Sequence, residues 1–445
     1  MAVATKQGRI FYGWWIVLAG SVVMALQGGI YFYGIGAFLK PLTEEFGGSR
    51  AAISGAVSLS RLESGILGPI AGFLVDRLGP RRMMLLGLSV MGIGYMLLSR
   101  VDSVVWFYIV FIFGLSAGSS FGTGVAVSAA IGNWFRRKRS RALGVMMCGV
   151  GLGGLAVPLL GWLIVNFGWR WAAIGAGLII MAFGLPLALI MRHRPEPYGL
   201  LPDGASAEEA GSNTGTVRVP KIFSRLPKTM QRDEGEEVDF TARQAIGTKA
   251  FWILGMGFAL HQMVTGAVAL HEVAFLEDVG ISTEVATGVL GLMTLISIPG
   301  RLFFGWLGDV MDKRWVVSIC NVLKAVGILL LLNVQENVWQ VIPFLLVYGP
   351  AYGGSAPLMG AIRGEYFGRK SFATIQGFMQ MIMMWGSFAG PVFAGYIFDV
   401  TGAYRIAFIT FAVSSLASVP FFLMARKPRL MVAQPVEEHT PVTTG

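Results

Sequence analysis

Charge is what this 445-residue chain has least of: Asp, Glu, Lys and Arg make up 13% of it, where soluble domains carry about 25%. A water-soluble enzyme of this length needs far more polar surface. Reactive side chains are also scarce, with four histidines and two cysteines. His193 and His439 fall outside the apolar stretches, while Cys148 and Cys320 lie inside them, so neither a metal site nor a disulfide framework is expected. No His-Glu-x-x-His, Cys-x-x-Cys or Gly-x-x-x-x-Gly-Lys-Ser/Thr sequence occurs. That argues against metalloenzyme chemistry and against ATP-driven transport. No cofactor is expected, and a membrane-embedded enzyme is a distant alternative.

What the chain has instead is apolar length. Hydrophobic residues make up 54% of it, and its mean hydropathy is +0.65. They fall in separate runs of about twenty residues, long enough to cross a bilayer as a helix. Twelve spans are expected, at 12–36, 51–75, 82–99, 104–131, 141–165, 171–191, 250–276, 284–308, 315–334, 338–362, 372–397 and 404–425. Sixty glycines and 22 methionines suit helices packed through small residues. Segment 192–249 is rich in Pro, Gly and mixed charge and reads as a linker between a bundle at 1–191 and a second at 250–425, followed by a tail at 426–445. The fold class is therefore an all-α membrane protein, with twelve transmembrane helices in two six-helix bundles.

The net charge of +10 does not point to nucleic acid, because the basic residues sit in short clusters between the spans. One side carries Lys6, Arg9, Arg77, Arg81, Arg82, Arg136 to Arg139, Arg141, Lys313, Arg314, Arg363, Arg369, Lys370, Arg426, Lys427 and Arg429. The other side has Lys40, Arg50, Arg100, Arg170 and Arg405. This imbalance places both termini and the linker in the cytoplasm of a cell-membrane protein. Met1 to Arg9 leads straight into the first span with no small-residue cleavage site, so a retained helix is expected and not a signal peptide.

The halves echo each other. Gly72-Phe-Leu-Val-Asp76-Arg-Leu-Gly-Pro-Arg81 returns as Gly305-Trp-Leu-Gly-Asp309-Val-Met-Asp-Lys-Arg314. Asn133-Trp-Phe135-Arg-Arg137-Lys138 returns as Glu365-Tyr-Phe367-Gly-Arg369-Lys370, and Pro158 returns as Pro391. Such duplication marks a two-lobed transporter with its site near the midplane between repeats.

Gly72-x-Leu-x-Asp76-Arg77-x-Gly79-x-Arg81-Arg82 resembles the motif between helices 2 and 3 of the major facilitator superfamily. Within it the chain is similar to the monocarboxylate porters and their neighbours, the oxalate–formate exchangers. The matching stretches are Tyr12-Gly-Trp-Trp15, Phe46-Gly-Gly-Ser49-Arg50-Ala-Ala-Ile-Ser54, Trp134-Phe135 with Arg139-x-x-Ala142-x-Gly144, and His271 with Asp278-x-Gly280-Ile-Ser282. The resemblance implies alternating access and transport of small organic anions by proton coupling or exchange. Two features depart from it. The exchangers carry a lysine in helix 11, but Phe378 to Trp385 contains none; the porters often have an acid one turn before the helix 8 arginine, where Ser297 stands.

A charge at bilayer depth costs about 3 kcal/mol or more, so each needs a reason. Arg301 lies eight residues before Asp309, about 12 Å deeper at 1.5 Å per residue. A guanidinium there can hold a carboxylate through two parallel hydrogen bonds. Its repeat counterpart is Gly68, an asymmetry that one polar substrate would require; the alternative is a structural ion pair bracing the eighth span. Arg61 shares a wheel face with Ser54, Ser58, Gly65, Gly68 and Gly72, so it is a second candidate contact. Glu63 turns about 200° away, toward a neighbouring helix, where it serves as a candidate proton carrier or a structural partner.

His261 is a candidate proton carrier or anion donor in the seventh span, since imidazole titrates near neutrality; a structural hydrogen bond is the alternative. Glu272, beside His271 farther out, could receive protons or simply be solvated at the interface. Lys324 is read as snorkelling or as a helix contact. Tyr33, next to Tyr31 and Phe32, could stack on or hydrogen-bond a substrate or belong to an interfacial belt. Asp76 with Arg77 and Arg81, and Asp309 with Arg314, are read as conformational gates that lock onto the basic loops and helix N-termini when the protein faces outward.

The expected function is secondary active symport of a small organic anion, a monocarboxylate foremost, with a proton. Anion exchange is the runner-up. Drug export comes third: Gly153-Gly154-Leu-Ala-Val-Pro158-Leu-Leu-Gly161 lacks the Gly-Pro pair that Gly390-Pro391 keeps. A non-transporting sensor would usually add a long cytoplasmic extension. The expected partners are the anion, the proton and the bilayer, with no nucleic acid, and the expected state is a monomer.

Overall fold

The computed structural model describes residues 11–46, 50–205, 227–230 and 238–428. Lys6, Arg9, Ser49, Arg429, His439 and linker segments 206–226 and 231–237 lie outside the described residues, as do the side chains of Lys40, Arg50, Ser54 and Ser58.

Among the described residues, twelve long helices follow one another: α1 (Tyr12–Phe38), α2 (Arg50–Leu78), α3 (Pro80–Leu98), α4 (Val104–Trp134), α5 (Arg139–Phe167), α6 (Trp169–Ile190), α7 (Lys249–Asp278), α8 (Thr283–Val310), α9 (Lys313–Leu331), α10 (Val341–Phe367), α11 (Phe372–Thr401) and α12 (Arg405–Met424). Ten are long and apolar enough to cross a membrane; α2 and α10 have the length but fall outside that set. The helices overrun the expected spans. Past Phe38 the chain stays helical to Phe46, through Pro41, and α10 runs on through Pro350 and Pro357. Neighbouring helices can re-satisfy the carbonyls that a proline frees.

Tight turns hold consecutive helices antiparallel. Gly79 adopts φ 86° ahead of Pro80, the first residue of α3, and Gly168 adopts φ 83° ahead of α6. Both conformations suit glycine, and proline is pre-set for a first helical position.

Among the described residues, three helices contain a π-wound turn, and α5 a 3-10 turn at Gly154–Ala156. Gln27–Phe32 in α1, Val110–Ser116 in α4 and Ile180–Gly184 in α6 are wound as π-helix. All three lie in the first half, and among the described residues the second half has none.

α1–α6 pack around one apolar cluster, which at the linker end also takes in Ala361, Phe372 and Ala373 of the second half. α7–α12 enclose two clusters, one around Phe251, Phe258 and Phe367, the other around Phe275, Tyr348 and Phe408.

Candidate functional site

The halves meet along two seams, α2 against α11 and α5 against α8, both closed at the end that carries the linker. On the first seam, a side chain at Gly68 or Gly72 would collide with the backbone of Gly377 or Ala373. On the second, Gly144 lies against the Arg301 carbonyl and Gly305 against that of Ser140. Small residues let the backbones approach this closely. Toward the opposite end the crowding stops: nothing lies within 4 Å of where a Cβ would sit on Gly36, Gly161, Gly288 or Gly291.

A carboxylate fastens each seam. Asp309, at the end of α8, accepts hydrogen bonds from the backbone N–H of Ser140 (2.9 Å) and Arg141 (3.2 Å) in the first turn of α5, with the Arg141 guanidinium 3.6 Å away. Asp76, near the end of α2, accepts from the N–H groups of Ala373 (3.1 Å) and Thr374 (2.8 Å) and from the Thr374 hydroxyl (2.6 Å), at the start of α11. Each acid thus meets the positive end of a helix in the other half.

The basic residues expected to serve these acids do other things. Arg77 and Arg81 are exposed, and Arg314 pairs with Asp312 at 2.5 Å and donates to the Ala425 carbonyl. Arg369 adds a clamp that sequence reasoning left unassigned, reaching the Asn133 carbonyl (2.8 Å) and Glu196 (2.9 Å) across the divide. Beside this end, and outside the spans, His193 packs near Gly79; burial first, then the neighbouring Arg194 charge, lowers its pKa, against an opposing pull from Glu196.

Arg301 occupies the last layer of the α5–α8 seam before the helices part. Its side chain is buried and donates to the Met147 carbonyl of α5; its Nε has no partner, and among the described residues no carboxylate forms an ion pair with it. Gly151 leaves it room. Tyr33, half-buried, comes in from α1 beside Gly154 and has Thr294, Arg301 and Tyr352 around it. Tyr352 of α10 has both Arg301 and Glu272 within electrostatic range. Arg301 and Tyr33 are therefore brought together, and Thr294 and Tyr352 complete the group. The Tyr348/Tyr352 pair at helical spacing beside Pro350 was the available sequence signal for the last.

Other expected residues lie elsewhere. His261 does not join Arg301: it turns into the second half, where Lys324 Nζ donates to its Nδ1 at 2.6 Å and Asn321 Oδ1 lies 3.1 Å away. Lys324 is fully buried and cannot snorkel, so the helix contact is the arrangement found. Interfacial solvation does not hold for Glu272, which is 0% exposed with both carboxyl oxygens unpartnered, because its face of α7 looks inward, toward α10. His271 braces α7 instead, contacting the Tyr404 hydroxyl (3.2 Å) and donating to the Pro391 carbonyl (3.1 Å). Glu63 turns from the seam toward α4 and accepts from Ser116 and, at 3.3 Å, from Ser64. Arg61, one turn beyond Gly65 on the seam face of α2, is exposed.

A family model described as Major Facilitator Superfamily matches residues 17–273 and 251–444. Monocarboxylate transporter 13 of Bos taurus is 25% identical, the match covering 97% of this chain and 96% of that protein. The gallate transporter of Pseudomonas putida is 24% identical, over 94% and 92%. Among solved structures, the proton:xylose symporter XylE superposes with a TM-score of 0.70 at 14% identity, over 94% of this chain and 96% of that one.

Proposed function

The chain belongs to the Major Facilitator Superfamily, a family of membrane transporters, and we propose that it moves a small organic anion, a monocarboxylate foremost, together with a proton. Arg301 carries this reading: it is a buried guanidinium at the seam between halves, with no acid of its own among the described residues and one nitrogen unpartnered. Such a charge is tolerable at depth when an anion visits it. A carboxylate on Arg301 would have the hydroxyls of Tyr33 and Tyr352 nearby as donors that orient it. Two relatives, a monocarboxylate transporter and a gallate transporter by name, support the substrate class.

Glu272 is the proton carrier that fits best. A sealed carboxyl with no hydrogen-bond partner is tolerable as a neutral acid, and Tyr352 links its field to that of Arg301. The positive-inside distribution puts the linker end in the cytoplasm of the cell membrane. The closed end is then cytoplasmic and the conformation outward-facing, with Asp76 and Asp309 as gates. Anion and proton would bind from outside, and the gates would release as the halves rock.

Uptake of lactate, pyruvate or gallate into proteoliposomes under an inward proton gradient tests this. Accumulation that collapses with the gradient is expected; uptake indifferent to it contradicts proton coupling. Arg61 supports a second reading, exchange of doubly charged anions. It is an exposed cation where the α2–α11 seam opens, and counterflow without proton dependence would favour that reading.

A further inference from the structure

We propose that Glu63 and the hydroxyls around it form a binding site for a hard monovalent cation, sodium foremost, in the first half of the protein and apart from Arg301.

The carboxylate is solvated on one side only. Glu63 Oε2 accepts from the Ser116 hydroxyl of α4 and from Ser64 (3.3 Å), while Ser120 donates to Ser64 at 3.2 Å. Oε1 is buried and has no partner. Two hydroxyl donors hold Oε2, and the bare Oε1 is the acceptor that a cation would meet. Further oxygens converge from three helices. Tyr31 of α1 brings its hydroxyl to Ser116 and Ser60, and Ser116 lies 3.4 Å from the Ser60 carbonyl.

The chemistry of this set is selective. Every donor is an oxygen, which suits a hard cation and not a soft metal. The single carboxylate balances one positive charge, whereas calcium and magnesium sites draw on more carboxylates or on phosphates.

The backbone is shaped for the same purpose. Tyr31 belongs to the π-wound turn Gln27–Phe32 of α1, and Ser116 ends the π-wound turn Val110–Ser116 of α4. Such turns re-aim side chains and concentrate at functional sites. Tyr33 follows that turn directly, its N–H bonded to the Gly28 carbonyl at 2.9 Å. An ion on Glu63 and an anion at Arg301 therefore engage Tyr31 and Tyr33, two residues apart at the end of one irregular segment, and sodium should raise apparent anion affinity.

The test uses the full chain in detergent at fixed pH, with sodium chloride exchanged for choline chloride and 22Na+ binding measured beside thermal unfolding. Saturable sodium binding and a rise in Tm of several degrees are expected, since a ligand specific for the folded state raises stability. Glu63→Gln should weaken sodium binding about tenfold or more. Ser116→Ala should weaken it without lowering the Tm in choline, which keeps the test valid if Glu63→Gln folds poorly. Arg301→Ala should bind sodium normally, separating this site from the anion reading. Absence of sodium-specific binding, or binding undiminished in both site variants, overturns the proposal. So does a Glu63-dependent response to pH alone, which would make it a proton site.

Discussion

In the first half one apolar cluster runs unbroken through α1–α6, whereas in the second half the apolar packing falls into two clusters, and His261, Asn321 and Lys324 form a buried polar group apart from both. The first half gathers its polar groups where α1, α2 and α4 meet, on turns wound as π-helix. The second half, without a π-wound turn among the described residues, seals charges inside: Lys324 and Glu272 are both fully buried. A duplicated scaffold has thus divided the work. The second half places Arg301 on α8, and the first brings Tyr33 beside it, directly after the π-wound turn of α1. The repeat counterpart of Arg301 is Gly68, which lets α2 press against α11, so the same position carries a buried charge on one seam and a close backbone contact on the other.

Replacing each buried acid strikes at that division most sharply. Glu272→Gln should abolish proton-driven accumulation, a loss of about tenfold or more, while leaving anion counterflow intact, because the amide is a permanent copy of the protonated acid. Glu63→Gln should leave the proton drive in place. Paired measurements of accumulation and counterflow check both, and identical phenotypes would erase the distinction between the halves.

Wedging the seams comes next. Gly144→Val and Gly68→Val each place methyl groups against backbone of the other half, and overpacking typically costs about 1–3 kcal/mol. Both should drive the protein away from the closed linker end, seen as faster cysteine labelling of residues near Gly144, with transport reduced. A seam that tolerates valine without change in labelling is not closed in this way.

The gates are expected to act more gently. Asp309→Asn and Asp76→Asn weaken charge-assisted bonds to helix N-termini, worth about 1–2 kcal/mol each. That corresponds to roughly five- to thirtyfold in the conformational equilibrium. Distance distributions from spin labels across the linker end would report the shift.

His193 should give the smallest effect. Its pKa is held below the usual 6.5 by burial and Arg194, so the folded state resists protonation more than the unfolded state does. Its contribution to stability is complete above pH 6.5 and declines as pH falls through that value toward the lowered one. Thermal unfolding should lose a small part of its acid sensitivity in His193→Gln.

Much of this frame was legible in the residues. Span length gave the bundle, the Asp76 and Asp309 repeat gave the paired seams, and counting back from Asp309 placed Arg301 at depth. Wheel angles correctly separated Arg61 from Glu63, because both sit on one helix whose rotation is internally defined. His261 was another matter: its depth was legible, but its partner Lys324 depends on where α9 packs against α7, which one helix cannot report. Glu272 was misjudged for a related reason, since its nearness to a span end concealed that its face of the helix is covered. The π-wound turns left no periodic signature, since each spans only five to seven residues inside continuous apolar sequence.

The measurement that bears most directly on the account is calorimetric titration of a monocarboxylate into the purified protein and into Arg301→Ala, with thermal unfolding confirming that both are folded. Binding to the native chain and a loss of about a hundredfold in the variant are expected, as for removal of a buried bidentate charge partner. Equal affinity in the two would contradict the claim that this guanidinium holds the cargo.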